Sequence, residues 1–311
     1  MKNIILALSL VLAGCCLMAC QRGTEGRRSR VALLMKAQSN PFFQAMEQGA
    51  QEAAKETGVE LLVYYLPAET AADAQVAQVE DVIAKQVSAI LIAPSGSSAI
   101  VPALLKANEA GIPVINLDNR IDQQSAAAAG LKIASFVGPD NVEGARLSCL
   151  ELLRRAGPKA RMAILEGIPA AVNAQQRKAG CLEALQQNAG AQMVASQTAN
   201  WGLDQGNTVF TDMLQAHPEI NALFAANDMM ALGALQAIKA AGRAGSIIVT
   251  GYDNLEAVQP ALKSGEMAAT VDQHPGRIGG EGVRAAVKLL QGETIPPEIP
   301  IKVELIRAIG K

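Results

Sequence analysis

Val31-Ala32-Leu33-Leu34-Met35 runs through Lys36-Ala37-Gln38-Ser39 into Asn40-Pro41-Phe42-Phe43. The first five residues are an apolar run without strict in-out alternation, the pattern of a strand covered by helices on both faces. Asn40 can cap a helix with Pro41 at its first position, and Phe42, Phe43, Met46, Ala50 and Ala53 then trace one face until Gly58. Strand, polar loop and helix recur along the whole chain. Further strands are predicted at Leu61 to Tyr65, Ala89 to Ala93, Pro113 to Leu117 and Ser135 to Gly138. The second half adds Arg161 to Glu166, Met193 to Gln197, Ala222 to Ala226, Ile247 to Gly251 and Ala268 to Val271. Their spacing of roughly 25 to 30 residues is that of βαβ units. Ten strands exceed one short sheet, and the run divides near Pro139-Asp140. The expected fold class is therefore α/β, with two doubly wound parallel-sheet lobes in contact.

Composition narrows the function. The chain has 311 residues, 50% apolar and 18% charged, too apolar for disorder and too sparsely charged for a coiled-coil rod. Residues 1–30 hold five of the 27 basic groups and one of the 29 acids, so the remainder carries a net charge of −6. A body of that sign is a poor partner for nucleic acid, which needs clustered Lys and Arg. His217 and His274 are the only histidines, which starves both Ser-His or Cys-His nucleophile pairs and the usual zinc sites. Phosphate-loop, dinucleotide and nucleophile-elbow motifs are missing from the sequence. No catalytic residue, metal or cofactor is predicted.

Met1-Lys2-Asn3, an apolar stretch from Ile4, and small residues directly before Cys15 and Cys20 resemble a bacterial lipoprotein signal. About 15 apolar residues fall short of the roughly 20 that span a bilayer. Residues 1–20 are therefore expected to export the chain, with Cys15 or Cys20 lipidated and 21–30 forming a polar tether. Cys149 and Cys181 remain in the body. An exported protein permits a disulfide between them, but two buried free thiols are the expectation.

Ligands of open parallel sheets bind beyond the carboxyl ends of strands. The residues there are Lys36 and Asn40, Asp118-Asn119-Arg120, Asn200-Trp201, Asn227-Asp228, Asp253 and Asp272-Gln273, with Arg177 on the helix after the Arg161 to Glu166 strand. Carboxylates accept from neighbouring hydroxyls, amides both donate and accept, and arginine forks across adjacent oxygens. Phe42, Phe43 and Trp201 supply planes for the apolar C–H faces of a ring. Lys36 and Arg177 would balance Asp118 and Asp253, which suits a neutral polyhydroxy ligand. Other readings stay open: Asn40 as a plain cap, Phe42 and Phe43 as core, Asn227, Asp228 and Asp253 as strand terminators or caps, and Arg120 as a solvated charge. Asp118 and Asp253 could also be the carboxylate pair of a secreted hydrolase.

Ser39-Asn40-Pro41-Phe42-Phe43, Asn116-Leu117-Asp118, Asp140-Asn141-Val142, Ala195-Ser196-Gln197, Ala226-Asn227-Asp228 with Met230-Ala231-Leu232-Gly233, and Ala269-Thr270-Val271 before Gln273 together resemble the ribose-type periplasmic sugar-binding proteins of ABC importers, most closely the allose-binding kind. The resemblance implies two discontinuous lobes, 31–139 plus 274–302 and 140–273 plus 303–311, joined by three hinge crossings that close on one monosaccharide. It places Asn40, Phe42, Phe43, Asp118, Arg177, Trp201, Asn227, Asp253 and Gln273 at ligand positions. Lys36 falls where ribose binders carry serine and the allose binder carries lysine. Asn119 stands at a further ligand position and departs from both types, which carry an arginine or an acid there. The implied partners are a permease and a membrane-anchoring lipid, and the implied state is a monomer outside the cytoplasm. A sensor presenting its closed form to a chemoreceptor or histidine kinase is the alternative.

Overall fold

The structure is a computed structural model and describes residues 28–308. The expected signal segment, Cys15, Cys20 and most of the tether lie outside the described residues. All ten expected strands form. β1 (Arg30–Ala37), β2 (Glu60–Leu66), β3 (Ala89–Ile92), β4 (Val114–Leu117) and β5 (Ser135–Pro139) join β11 (Glu298–Ile301) in one sheet of order β11-β5-β4-β3-β1-β2, parallel throughout. β6 (Arg161–Glu166), β7 (Gln192–Thr198), β8 (Ala222–Ala225), β9 (Ile248–Thr250) and β10 (Ala269–Asp272) join β12 (Glu304–Arg307) in a second, of order β12-β10-β9-β8-β6-β7. Only β12, against β10, is antiparallel there.

Helices cover both faces, which explains the missing alternation in β1. Val31, Leu33 and Met35 pack with Phe42, Phe43 and Met46 of α1 (Pro41–Thr57) on one side. Ala32 and Leu34 pack with Val79 and Val82 of α2 (Ala72–Ala84) and Leu104 of α3 (Val101–Glu109) on the other. The remaining helices are α4 (Gln123–Ala129), α5 (Asn141–Ala156), α6 (Val172–Gln186), α7 (Leu203–Ala216), α8 (Asp228–Ala240), α9 (Gln259–Ser264) and α10 (Pro275–Leu290). No helix among the described residues is long and apolar enough to cross a membrane.

Sequence reading did not anticipate β11 and β12. β11 carries Pro300 and exposed Glu298, and both strands lie at sheet edges, where proline and polar side chains are tolerated and the apolar pattern fades. Their membership means the chain passes between sheets three times: after β5, after β10, and between β11 and β12.

The expectation of free thiols is corrected. Cys149 on α5 and Cys181 on α6 form a disulfide, with Cα atoms 5.2 Å apart. α5 and α6 lie side by side, and Gly180 makes the approach possible because a Cβ there would overlap the Val142 carbonyl. A separation of 32 residues in the chain does not reveal that neighbourhood.

Candidate functional site

Between the two sheets lies a hollow of about 250 Å³, walled by strand ends and helix starts of both halves. Its walls come from both sheets, so anything held there touches both halves of the chain.

The first sheet contributes Lys36 from the end of β1, Asp118 just after β4, and Asn40, Phe42 and Phe43 from the start of α1. Asn40 is both cap and wall: its Oδ1 accepts from the Phe42 N–H at 3.0 Å, while its Nδ2 donates to Glu69 at 2.9 Å. The two phenyl rings meet edge to face, 5.1 Å between centroids. Lys36 is buried with its ammonium 5.7 Å from the Phe43 ring centre and 5.8 Å from that of Trp201, distances at which ring quadrupoles hold a cation.

The second sheet contributes Trp201 after β7, Asn227 after β8, Asp253 after β9, Gln273 after β10 and Arg177 from α6. Arg177 organises this wall. It donates to Asn141 Oδ1 at 2.9 Å, to the Ala226 carbonyl at 2.8 Å and to Gln273 Oε1 at 3.2 Å, and it lies 3.5 Å from Asp253 Oδ1. Gln273 Nε2 in turn donates to Asp253 at 2.6 Å. The guanidinium lies 3.7 Å from the centre of the Tyr252 ring and 5.4 Å from that of Trp201. Asn227 caps α8 by accepting from the Met230 N–H, and donates to the Trp201 carbonyl. Gly167 makes room for the indole, since a Cβ there would overlap its ring.

Backbone strain gathers here. Among the described residues, seven non-glycine residues have positive φ, and six of them, Asp118, Asn200, Trp201, Asp253, Asn254 and His274, sit at or beside these strand ends. Such conformations persist only where surrounding packing over-determines them.

Three buried polar atoms on the lining residues have no hydrogen-bond partner: Asp118 Oδ1, Trp201 Nε1 and Asn173 Oδ1. Unpaired buried groups are costly, and these two acceptors and one donor are groups that a ligand in the hollow could pair. Burial pushes the carboxyls of Asp118 and Asp253 above their ordinary range, with Lys36 and Arg177 pulling Asp118 back down and Arg177 doing so for Asp253. Burial likewise raises Glu69, against Lys36 and Asn40.

Residues 31–294 match the model of the periplasmic binding protein domain. The chain belongs to the periplasmic binding protein family. This periplasmic binding protein is 43% identical over 287 residues to the D-ribose/D-allose-binding protein of Pseudomonas aeruginosa, covering 90% of this chain and 89% of that one. It is 33% identical to the ribose import binding protein of Bacillus subtilis, covering 97% of each. Among solved structures, an ABC transporter periplasmic solute-binding protein of Actinobacillus succinogenes with bound D-allose superposes with a TM-score of 0.84 at 41% identity, over 90% of this chain and 98% of that one. These relatives are named as binding proteins, not as enzymes.

Ten of the eleven residues predicted from sequence line the hollow of this binding protein; Asn119 does not. Its side chain is fully buried and spent elsewhere: Nδ2 donates to the Pro94 carbonyl and to Ser97 Oγ, and Oδ1 accepts from the Asn173 N–H at 3.0 Å. Asn119 and Ser97 thereby cap α6 from the opposite half. Ala171, at the helix's own cap position, offers no side-chain acceptor, and the first N–H groups of α6 are met by Ser97 Oγ at 3.0 Å and by Asn119 Oδ1. Arg120, read as a solvated charge, instead stacks on Phe136 and pairs with Glu298.

Two wall residues were missed. Glu69 follows β2, and the strand-end rule extended to that strand would have found it. It adds a third carboxyl to the charge balance argued from Lys36, Arg177, Asp118 and Asp253. Asn173 lies one turn before Arg177 on α6, and nothing in its local sequence marks it.

Proposed function

We propose that this protein captures a neutral monosaccharide between its lobes, outside the cytoplasm, and delivers it to an ABC importer. The observation that carries the reading is the hollow itself: small, shared by both sheets, walled by aromatic planes and by carboxyl, amide and guanidinium groups, with unpaired Asp118 Oδ1 and Trp201 Nε1. Each ring hydroxyl both donates and accepts, so a sugar can satisfy both kinds of orphan. A phosphate would instead meet three carboxyls. The ribose, allose and import names of its relatives support the sugar class and the transport role, and Lys36 favours the allose-like end of that class.

The lobes in this reading are 31–139 plus 274–302 and 140–273 plus 303–311. The crossings near Pro139-Asp140, Gln273-His274 and Lys302-Val303 act as hinges, and bound sugar shifts the open-closed equilibrium towards the closed form that a permease reads. Asn40, Phe42, Phe43, Lys36, Asp118, Arg177, Trp201, Asn227, Asp253 and Gln273 contact the ligand. Export follows from the signal-like residues 1–20, and lipidation of Cys15 or Cys20 tethers the monomer to the membrane.

Calorimetry against a panel of aldoses and ketoses tests the reading. Micromolar or tighter binding of D-allose or D-ribose is expected, with a change in Trp201 fluorescence, and Asp118→Ala or Arg177→Ala should abolish it while circular dichroism stays native. Silence across the panel would reject the sugar.

A further inference from the structure

Asn173 is 3% exposed, lines the hollow, and has a buried side-chain oxygen, Oδ1, with no hydrogen-bond partner among the described residues. It stands in the first turn of α6, yet it caps nothing and faces no solvent. Its backbone N–H does have a partner, Asn119 Oδ1, which comes from the other sheet's half. One residue therefore touches the cavity with its side chain and the opposite lobe with its main chain. A buried carbonyl oxygen left unpaired is a penalty that a ligand hydroxyl removes by donating to Oδ1, and the same hydroxyl group can accept from Nδ2.

We infer that Asn173 reads one hydroxyl of the bound monosaccharide and so helps set which sugar is accepted, with Asn119 as the positioning residue that holds it in place once the lobes meet. The inference rests on the sugar reading above. The polarity of the wall decides the ligand class; Asn173 discriminates within it, rejecting sugars that lack or misplace the hydroxyl it faces. An epimer that leaves the amide empty retains the unpaired state, so selectivity arises at a position where no charge is involved.

The test is a cycle of variants and ligands. D-allose, D-ribose and their monodeoxy forms are titrated into the unaltered protein, Asn173→Ala and Asn173→Asp. Asn173→Asp preserves the shape and the acceptor while removing the Nδ2 donor, so a readout survives even where the alanine variant folds poorly. For the preferred sugar, Asn173→Ala is expected to weaken binding roughly tenfold or more. For the one monodeoxy form missing the hydroxyl that Asn173 faces, the same variant should bind as the unaltered protein does. Asn119→Ala should shrink that discrimination with Asn173 intact. Equal weakening toward every ligand, or no weakening at all, overturns the assignment of Asn173. Failure of the unaltered protein to bind any of these sugars overturns the function on which it rests, a separate outcome.

Discussion

Asp228 lies wholly buried at the start of α8, with Thr270 Oγ1 donating to its Oδ1 at 2.8 Å and the Leu255 N–H to its Oδ2 at 2.9 Å. Burial pushes its carboxyl up from 3.8 to about 7, and those two donors and Arg177 only partly restrain the rise. The fold thus favours the protonated form. Its stabilising contribution is complete below about pH 4, where the unfolded chain is also protonated, and is lost as pH rises toward 7. Asp228→Asn removes that slope while keeping an acceptor for Leu255 and a donor for Thr270. Urea melts should show the variant gaining on the parent by as much as about 4 kcal/mol between pH 4 and 7. Parallel pH curves would mean that Asp228 stays charged in the fold. The same burial acts on Asp118 and Asp253, but those face a cavity in which a ligand's hydroxyls can meet the charge.

Neighbouring helices carry the next level of constraint. The Cys149–Cys181 bond staples α5 to α6, the helix that bears Asn173 and Arg177. Closing a loop of 32 residues restricts the unfolded chain by roughly 3 to 4 kcal/mol. The double variant Cys149→Ser, Cys181→Ser should lose about that much stability in denaturant melts. Reduction of the unaltered protein should produce the same loss, and identical oxidised and reduced melts would show that the bond does not hold the helices. The second sheet's core extends far beyond the two cysteines, from Leu152 through Phe224 to Val271, so the serine variant should still fold and present the site.

At the scale of the whole molecule, the seam between halves is built partly from groups that take no part in lining the cavity. Ser97 N–H donates to the Ala170 carbonyl at 3.1 Å and Ser97 Oγ accepts from the Val172 N–H, which adds a contact to the one made by Asn119. Such bonds are worth about 1 kcal/mol each, and under the proposed hinge closure they would favour the closed form whatever the ligand. Ser97→Ala should therefore weaken every bound sugar by one common factor, about five- to tenfold, because only the competent fraction changes. Small-angle scattering of the sugar-free variant should give a larger radius of gyration than the parent. A loss confined to some sugars would place Ser97 in recognition instead of closure.

Much of this was legible in the chain. Val31 to Met35, Ala89 to Ala93 and Ala222 to Ala226 are continuous apolar stretches that are buried on both faces, as central strands of a parallel sheet are, and strand ends are where side chains escape that burial. Local patterning thus determined the α/β class and put the ten cavity residues among a longer set of strand-end candidates, which the resemblance to ribose-type binding proteins narrowed to a ligand set. Asn119, Asn173 and the disulfide were decided by tertiary structure alone, whereas Glu69 follows β2 and was within reach of the strand-end rule. Whether Asn119 meets a ligand or caps α6 depends on where residues 171–173 come to rest. The pairing of Cys149 with Cys181 depends on two helices lying side by side. Edge strands β11 and β12 acquire their place only from the sheets they complete. Periodicity is a property of neighbours in sequence and is written there, whereas a contact between residues of the two sheets exists only once the chain has brought those sheets together.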